Sequence, residues 1–228
     1  HLFIMKKFLF FCGLFVFLSC TVTVNRKKTV ANLQETFIPN GKLFTALFQQ
    51  QAAEYKALCL QSYNMATIRL QQYVKSTDKP LVIVTDVDET VLDNSPFAVH
   101  QALMGKEYEP EAWYEWTSLA KADTVPGAPS FLKFAASKGV QVFYITNREE
   151  RERAATLKNL SNYDLPNADD KHLLLKSTTS GKEPRRQQVA NDYEIAMFIG
   201  DNLADFTDLF DKKTPQRRSN TVSALQAQ

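Results

Sequence analysis

Blocks of apolar and polar residues alternate along the chain and predict strands and helices in turn. Apolar residues at helical spacing predict one or two helices over residues 43–73. Short continuous apolar runs are typical of strands buried on both faces of a parallel sheet, and they occupy residues 81–85, 140–145, 173–175 and 195–199. Further helices are predicted over residues 110–122, 129–138, 149–160 and 183–192. This alternation favours an α/β fold with a doubly wound parallel sheet.

Polar side chains follow these strands at the end where ligands bind in doubly wound sheets. Several of them follow three separate strands, and Lys182 comes from the loop after the weak strand over residues 173–175. A cluster of solvated loop residues would not repeat in this way, so we expect one site at this edge of the sheet. The residues at the strand ends are Asp86, Asp88, Thr146, Asp201 and Asp205.

The first 20 residues have the pattern of a secretory signal. Lys6 and Lys7 form a positively charged start, and the apolar run over residues 8–18 is shorter than the roughly 20 residues that a membrane-spanning helix needs. Ser19 followed by Cys20 resembles the lipobox of bacterial lipoproteins, in which the cysteine is lipidated and becomes the new N-terminus. This predicts a membrane partner through a lipid anchor. The alternative is an ordinary signal peptide with an incidental cysteine.

The composition is that of an ordinary globular protein with one sizeable core, or one domain with an insertion. Residues 1–4 are interpreted as an upstream extension, and the polar residues 21–42 as a tether to the domain. The formal charge is +2, and both excess charges lie in the predicted signal, so the remaining chain is formally neutral. Nothing here indicates a nucleic acid polymer as a partner, since that requires a basic face. We interpret the local basic clusters as solvated helix faces: Arg148, Arg151, Arg153, Arg185 and Arg186.

The cysteines do not form a disulfide framework in this reading. Cys12 leaves with the signal and Cys20 carries the lipid, so Cys59 remains alone in a helical pattern. A lone cysteine at such a position is most often a small buried apolar group. Metal sites built on cysteine and histidine are equally unsupported, because the mature chain holds only His100 and His172.

Carboxylates at the strand ends indicate a metal site with hard oxygen ligands. Asp86, Asp88 and Asp201 supply oxygen and neither nitrogen nor sulfur, which favours Mg²⁺. The stretch that starts at Asp86 is not a calcium-binding EF-hand loop. Its sixth position is Val91 instead of glycine, and its twelfth is Phe97 instead of glutamate.

The same residues can carry out phosphoryl transfer. A carboxylate can attack phosphorus and form an aspartyl-phosphate, while Lys182 and the Thr146 hydroxyl stabilise the phosphoryl oxygens. Asp88 can protonate the leaving oxygen and later activate water. We expect the chain to coil after Asp86, with both carboxylates facing the substrate.

Four ordered motifs, DVDETVLDNS, ITNR, TSGKEPRR and GDNLADF, resemble those of the haloacid dehalogenase (HAD) superfamily. DETVLDNSPF and GDNLADF behind a lipoprotein signal resemble its acid phosphatase branch, subfamily IIIB, the outer-membrane lipoproteins that act as 5′-nucleotidases. The resemblance covers residues 43–211. It implies a Rossmann-like sheet with a small α-helical cap at about residues 96–125, and a Mg²⁺-dependent phosphomonoesterase at the bacterial outer membrane.

The resemblance also implies roles for individual residues. Asp86 would be the nucleophile and a metal ligand, and Asp88 the acid/base that binds metal through its backbone carbonyl. Asp201 would be the third metal ligand, and Asp205 would support the metal site or Lys182. The residues that would hold the phosphate are Thr146, Asn147 and Lys182.

Two tryptophans in the predicted cap give information about the class of substrate. Trp113 and Trp116 are three residues apart on a helix and would share a side, so core packing competes with a binding role. Nucleotidases of the resembling branch stack the base on a cap aromatic that aligns with Trp113. This implies a nucleoside monophosphate as substrate.

The end of the chain departs from the resemblance. Relatives continue beyond the fourth motif into another strand and a closing segment, whereas residues 212–228 are polar, so we expect a shortened reading frame with an atypical tail. Two alternative functions remain open. One is a phosphotransferase that uses the same site, and the other is a non-catalytic surface lipoprotein that binds a metal or small ligand.

Overall fold

A computed structural model of the chain describes residues 41–73 and 75–226. The predicted signal, Cys20 and nearly all of the predicted tether lie outside the described residues. Within them, no helix combines the length and the apolar character needed to cross a bilayer.

A four-stranded sheet, in which every neighbouring pair is parallel, forms the centre of the fold. Its strands are β1 (Leu81–Thr85), β4 (Gln141–Ile145), β5 (Leu173–Leu174) and β6 (Glu194–Ile199), and a separate antiparallel pair comprises β2 (Leu92–Asp93) and β3 (Asp123–Thr124). The order of strands across the four-stranded sheet is β5-β4-β1-β6. The predicted parallel α/β sheet is confirmed.

The helices follow the predicted order, with differences at their ends. The predicted helix over residues 149–160 begins as a 3₁₀ turn, and the one over residues 110–122 ends at Ser118 because the backbone turns left-handed at Ala120. The helices are α1 (described residues 41–51), α2 (Ala53–Gln72), α3 (Ser95–Leu103), α4 (Pro110–Ser118), α5 (Ala128–Ser137), α6 (Arg153–Ser161), α7 (Glu183–Asp192) and α8 (Pro215–Gln226). Helix α8 lies in the segment that we expected to be an atypical tail.

Helices cover both faces of the sheet. Ile83 and Val142 pack on one face in a cluster with Phe131 of α5, and α2 contributes Tyr63, Ala66 and Leu70 to the same cluster. Val84 packs on the opposite face with Val189 of α7. The strand residues on both faces of the sheet are apolar, and this explains why each strand is a continuous apolar run in the sequence.

Strand register brings the carboxyl ends of the central strands to one edge. Thr85 at the end of β1 lies beside Tyr144 of β4 and Ile199 of β6. The amide of Asp86 then donates to the carbonyl of Ile199 at 2.9 Å. The residues that follow β1, β4 and β6 therefore meet above the same edge. Helices α3 and α4, between β2 and β3 in the chain, make up the predicted small cap.

Candidate active site

Asp86 is the first residue after β1, at the centre of this edge. Its Oδ1 accepts the Val87 amide at 2.7 Å and lies 2.7 Å from the Nζ of Lys182. Burial raises the pKa of Asp86 to about 7 against the lowering effect of the Lys182 charge, and the nearby carboxylate of Asp205 raises it further. A nearby cation is therefore needed to stabilise the charged form of the Asp86 carboxylate at this buried position.

Lys182 is the buried cation between two carboxylates. It stands at the start of α7, and its Nζ lies 2.7 Å from Asp86 and 2.6 Å from Oδ1 of Asp205. Both carboxylates are largely buried, so their charges are poorly screened by solvent. Lys182 thus offsets part of the negative charge that the strand ends bring together.

Three carboxylates form a group that could hold a divalent cation. Oxygen atoms of Asp86, Asp201 and Asp205 all lie within 4.8 Å of one another. Gly200 makes this approach possible, because a Cβ there would lie 2.4 Å from the Cβ of Asp205. Thr90 fixes the end of β6 by accepting the Asp201 amide at 3.0 Å. Hard oxygen donors of this kind fit a cation such as Mg²⁺.

The predicted ligand set differs in part from this group. Asp86 and Asp201 lie in it, and Asp205, expected only to support the site, lies in it as well. The Asp88 carboxylate is not part of this group, and the prediction that its backbone carbonyl binds metal stays a prediction.

Asp88 is held by a buried arginine that sequence reasoning did not assign to the site. Arg148 places its Nη2 at 2.7 Å and its Nε at 3.0 Å from Asp88 Oδ1. Thr146 Oγ1 donates to Oδ2 of Asp88 at 3.3 Å, and Asn94 Nδ2 donates to Oδ1 at 2.9 Å. The loop after β1 does turn as expected, since Val87 accepts the amides of both Val91 and Leu92 at 2.8 Å.

A tryptophan of the cap fixes the orientation of Asn94. Trp116 Nε1 donates to Asn94 Oδ1 at 2.9 Å, which leaves the amide nitrogen of Asn94 directed at Asp88. Trp113 has a different partner, because its Nε1 donates to the buried Glu152 at 3.0 Å. The two tryptophans of α4 therefore have different hydrogen-bond partners.

Trp113 is half-buried next to the arginine that holds Asp88. The guanidinium carbon of Arg148 lies 5.8 Å from the centre of the Trp113 ring, and the Phe97 ring packs edge-on at 5.2 Å. Trp113 does not belong to the lining of the cleft described below. Its predicted contact with a nucleobase stays a prediction.

The interpretation of the basic clusters as solvated faces is wrong for three of their members. Arg148, Arg185 and Arg186 are buried, whereas Arg151 is exposed. Arg185 donates to the carbonyl of Thr146 and, at 2.8 Å, to Oδ1 of Asn147. Arg185 also reaches the carbonyls of Ser180 and Gly181, both at 3.3 Å.

The neighbouring Arg186 binds the backbone of the fourth motif. Arg186 Nη1 donates to the carbonyls of Ala204 at 2.9 Å and Asp205 at 3.0 Å. Its Nη2 pairs with Glu183 at 2.6 Å. Two consecutive side chains of α7 thus bind the backbone of the loops after β4, β5 and β6. No side-chain pattern could reveal this, because the acceptors are backbone carbonyls.

A cleft of about 350 Å³ collects these groups. Asp86, Asp88, Asn147, Lys182 and Asp201 line it, as expected from their positions after separate strands. The volume suits a small ligand. A polar cleft with a buried carboxylate, a lysine and a second carboxylate can bind a phosphoryl group and move a proton.

Comparison with known proteins agrees with this geometry. The sequence profile of the family described as HAD superfamily, subfamily IIIB (Acid phosphatase) matches residues 17–223. A class C acid phosphatase from Bacillus anthracis, solved with tungstate bound, is 41% identical with a TM-score of 0.79, covering 83% of this chain and 80% of that one. A second structure of the enzyme is 40% identical, also at 0.79, and covers 85% and 81%.

A more distant relative is acid phosphatase 1 of Solanum lycopersicum. It is 26% identical over 147 residues, which is 59% of this chain. The match spans 56% of the tomato protein, somewhat more than half of its length.

Proposed function

Because the chain belongs to the subfamily IIIB acid phosphatases of the HAD superfamily, we propose that it hydrolyses phosphate monoesters in the cleft at the end of β1. The observation that carries this proposal is the side chain of Asp86, which lies 2.7 Å from Lys182 in a cleft that Asp88 also lines. Metal binding alone would require neither the lysine nor the second carboxylate.

Asp86 is the nucleophile of the reaction. Its carboxylate attacks phosphorus, an aspartyl-phosphate forms, and the bond to the leaving oxygen breaks. Asp88 donates a proton to that oxygen, and its carboxylate then takes a proton from the water that attacks the aspartyl-phosphate. Lys182 stabilises the phosphoryl oxygens, and Arg148 with Asn94 keeps the Asp88 carboxylate oriented.

Mg²⁺ is the cation that we infer at Asp86, Asp201 and Asp205. What supports it is the group of three carboxylates with oxygens within 4.8 Å of one another. A bound Mg²⁺ would neutralise charge on the phosphoryl group. Asp86 and Asp201 lie just after β1 and β6, and Asp205 lies in the 3₁₀ turn Leu203–Asp205 that follows β6.

The test uses p-nitrophenyl phosphate with purified protein. We expect phosphate release with Mg²⁺, none after chelation with EDTA, and loss of at least about a thousandfold in Asp86→Asn, because an amide is a poor nucleophile. Asp192→Asn removes the same charge at the exposed end of α7 and serves as the control. Near-wild-type turnover in Asp86→Asn would show that the covalent mechanism is wrong.

Nucleoside monophosphates are the substrates that we infer, with Trp113 as the stacking residue for the base. The support is the position of Trp113 in the cap beside Arg148. Stacking on one aromatic side chain is worth about 1–3 kcal/mol per base and tolerates any base.

Replacing Trp113 by alanine should raise KM for AMP and leave KM for glycerol phosphate nearly unchanged, because only AMP has a base to stack. The measurement is kcat/KM for both substrates in both proteins, with circular dichroism to check folding. A parallel loss on the two substrates would assign Trp113 to core packing only.

A lipid on Cys20 is inferred to hold the enzyme at the bacterial cell envelope, with the outer membrane as its site. The support is the sequence pattern of residues 5–20, an apolar run behind two lysines that ends in Ser19 and Cys20. The active cleft would then be linked to the membrane surface by residues 21–40.

A further inference from the structure

The segment after the fourth motif forms one wall of the active-site cleft. It was expected to be an atypical polar tail, but it runs through a 3₁₀ turn over Asp208–Phe210 into α8. Phe210, Asp211, Lys212 and Arg218 line the same cleft as Asp86 and Lys182. These side chains are therefore placed to contact the part of a substrate that lies beyond its phosphoryl group.

Two cations stand on this wall. Among the described residues, no carboxylate lies within 4.0 Å of the charged nitrogens of Lys212 or Arg218. Arg218 is half-buried and donates one N–H to Oδ1 of Asn202 at 2.8 Å. A guanidinium has five N–H donors, so most of its capacity is left for a ligand.

Lys182 differs from these two residues in its surroundings. It is buried between Asp86 and Asp205, so its charge is already offset. Among the residues that the structure describes, Lys212 and Arg218 have no such carboxylate partner. Arg218 lies in the first turn of α8, where the helix dipole adds to the positive potential. The acid on the same wall, Asp211, lies toward the third motif, since its Oδ2 is 3.2 Å from where a Cβ of Gly181 would be.

We propose that Lys212 and Arg218 form a second anion-binding subsite, and that the enzyme prefers phosphate monoesters that carry a further anionic group, a phosphate or a carboxylate. The scissile phosphoryl group lies at Asp86, and the second anion lies against α8. This inference rests on the proposed phosphatase function and adds a substrate class to it.

The test compares substrates that differ only in the second anion. Adenosine 3′,5′-bisphosphate is compared with AMP, and 3-phosphoglycerate with glycerol 3-phosphate. The readout is the ratio of kcat/KM within each pair. We expect the bisphosphate ratio to exceed one in the wild type and to fall by about tenfold in the double variant Lys212→Gln and Arg218→Gln, as for loss of one charge-assisted hydrogen bond.

A matched control removes the same charge next to the subsite. Lys213→Gln with Arg217→Gln changes the adjacent residues, which are exposed and do not line the cleft. We expect this variant to keep the wild-type ratios. A fall in the 3-phosphoglycerate ratio as well would extend the subsite to carboxylates. Equal ratios in the wild type and the Lys212/Arg218 variant, or an equal fall in the control, would overturn the proposal.

A binding measurement distinguishes failure of the subsite from failure of the proposed function. If no monoester is turned over, the proposed function fails, and the subsite is then tested by calorimetric titration in the Asp86→Asn background. Adenosine 3′,5′-bisphosphate should bind more tightly than AMP, and the Lys212/Arg218 variant should lose that difference. Equal affinities for the two nucleotides would overturn the subsite in that case.

Discussion

Arg148 is the residue on which the acid/base most depends. It is almost completely buried, and its guanidinium makes two contacts of 3.0 Å or less with Oδ1 of Asp88. Burial lowers the pKa of Arg148, and the charge and hydrogen bonds of Asp88 raise it by more, so the guanidinium stays protonated. A side chain placed in this way can fix the direction of a carboxylate without touching substrate.

Replacing Arg148 by glutamine should lower kcat by about tenfold to a hundredfold and change KM much less, because Asp88 loses its orientation while the phosphate-binding groups remain. Steady-state kinetics on p-nitrophenyl phosphate measure this split. Arg148→Lys keeps the charge and should retain the fold and part of the activity.

Arg151→Gln is the control for the Arg148→Gln variant. Arg151 is about half exposed, stacks on Tyr114 and pairs with Glu149 at the surface, so Arg151→Gln should leave kcat close to the wild type. A kcat for Arg148→Gln equal to that of Arg151→Gln would remove Arg148 from the mechanism.

Sequence reasoning at the residue scale succeeded where a side chain follows a strand. Asp86 and Asp201 were placed at one edge because the carboxyl ends of parallel strands meet there. It failed for Arg148 and Arg185, whose partners come from other elements and include backbone carbonyls. An arginine that binds such groups has the same local sequence as one on a solvated surface.

Glu194 at the start of β6 ties the end of α2 to the sheet. Its carboxylate accepts the amides of Ser76 and Thr77, both at 2.7 Å, and the hydroxyl of Tyr73 at 2.9 Å. The Ser76 amide contributes most to lowering the pKa of Glu194 to about 2, followed by the Thr77 hydroxyl. The connection between a helix and the central strand β1 thus depends on an ionised carboxylate.

Stability should therefore depend on the pH through Glu194. A folded-state pKa below the usual value of 4.5 stabilises the protein above about pH 4.5, and this contribution is lost as the pH falls from about 4.5 towards 2. Glu194→Gln should lower the Tm at pH 7, and the difference from wild type should shrink towards pH 3. Glu54→Gln, at an exposed position of α2, is the control. A difference in Tm that is constant with pH would contradict the prediction.

Most strands and helices of the core were predicted, whereas β2, β3, α3 and α8 were not. Helix α7 has the predicted bounds, and β1 matches its apolar run. The strands β2 and β3 have two residues each, too few to show an alternation. Helix α8 has no buried residue, so it lacks the apolar stripe by which a helix is found in a sequence.

At the scale of the whole molecule, the folded domain and the inferred lipid attachment site lie in different parts of the chain. The described elements run from α1 to α8, and Cys20 lies outside the described residues. One acyl chain binds a bilayer only marginally, so the several chains of a lipoprotein are needed for stable attachment.

Cys20→Ser in the expressed precursor should abolish lipid attachment and move the enzyme to the soluble or unprocessed fraction, because serine cannot form the thioether. Fractionation and intact mass measure this, and Cys59→Ser is the control, at the cysteine that the predicted mature chain keeps besides Cys20. Equal membrane partitioning of mutant and wild type, without added mass at Cys20, would show that the anchor is elsewhere.

The paired arginines of α7 have a consequence for how activity is lost on heating. Because Arg185 and Arg186 are neighbours on one helix, local opening of α7 releases the backbone of three active-site loops at once. Proteins open in cooperative units, and this helix joins the loops into one such unit. We therefore expect activity at high temperature to be lost through local opening of this helix of 10 residues, and not through chemical damage to a catalytic side chain.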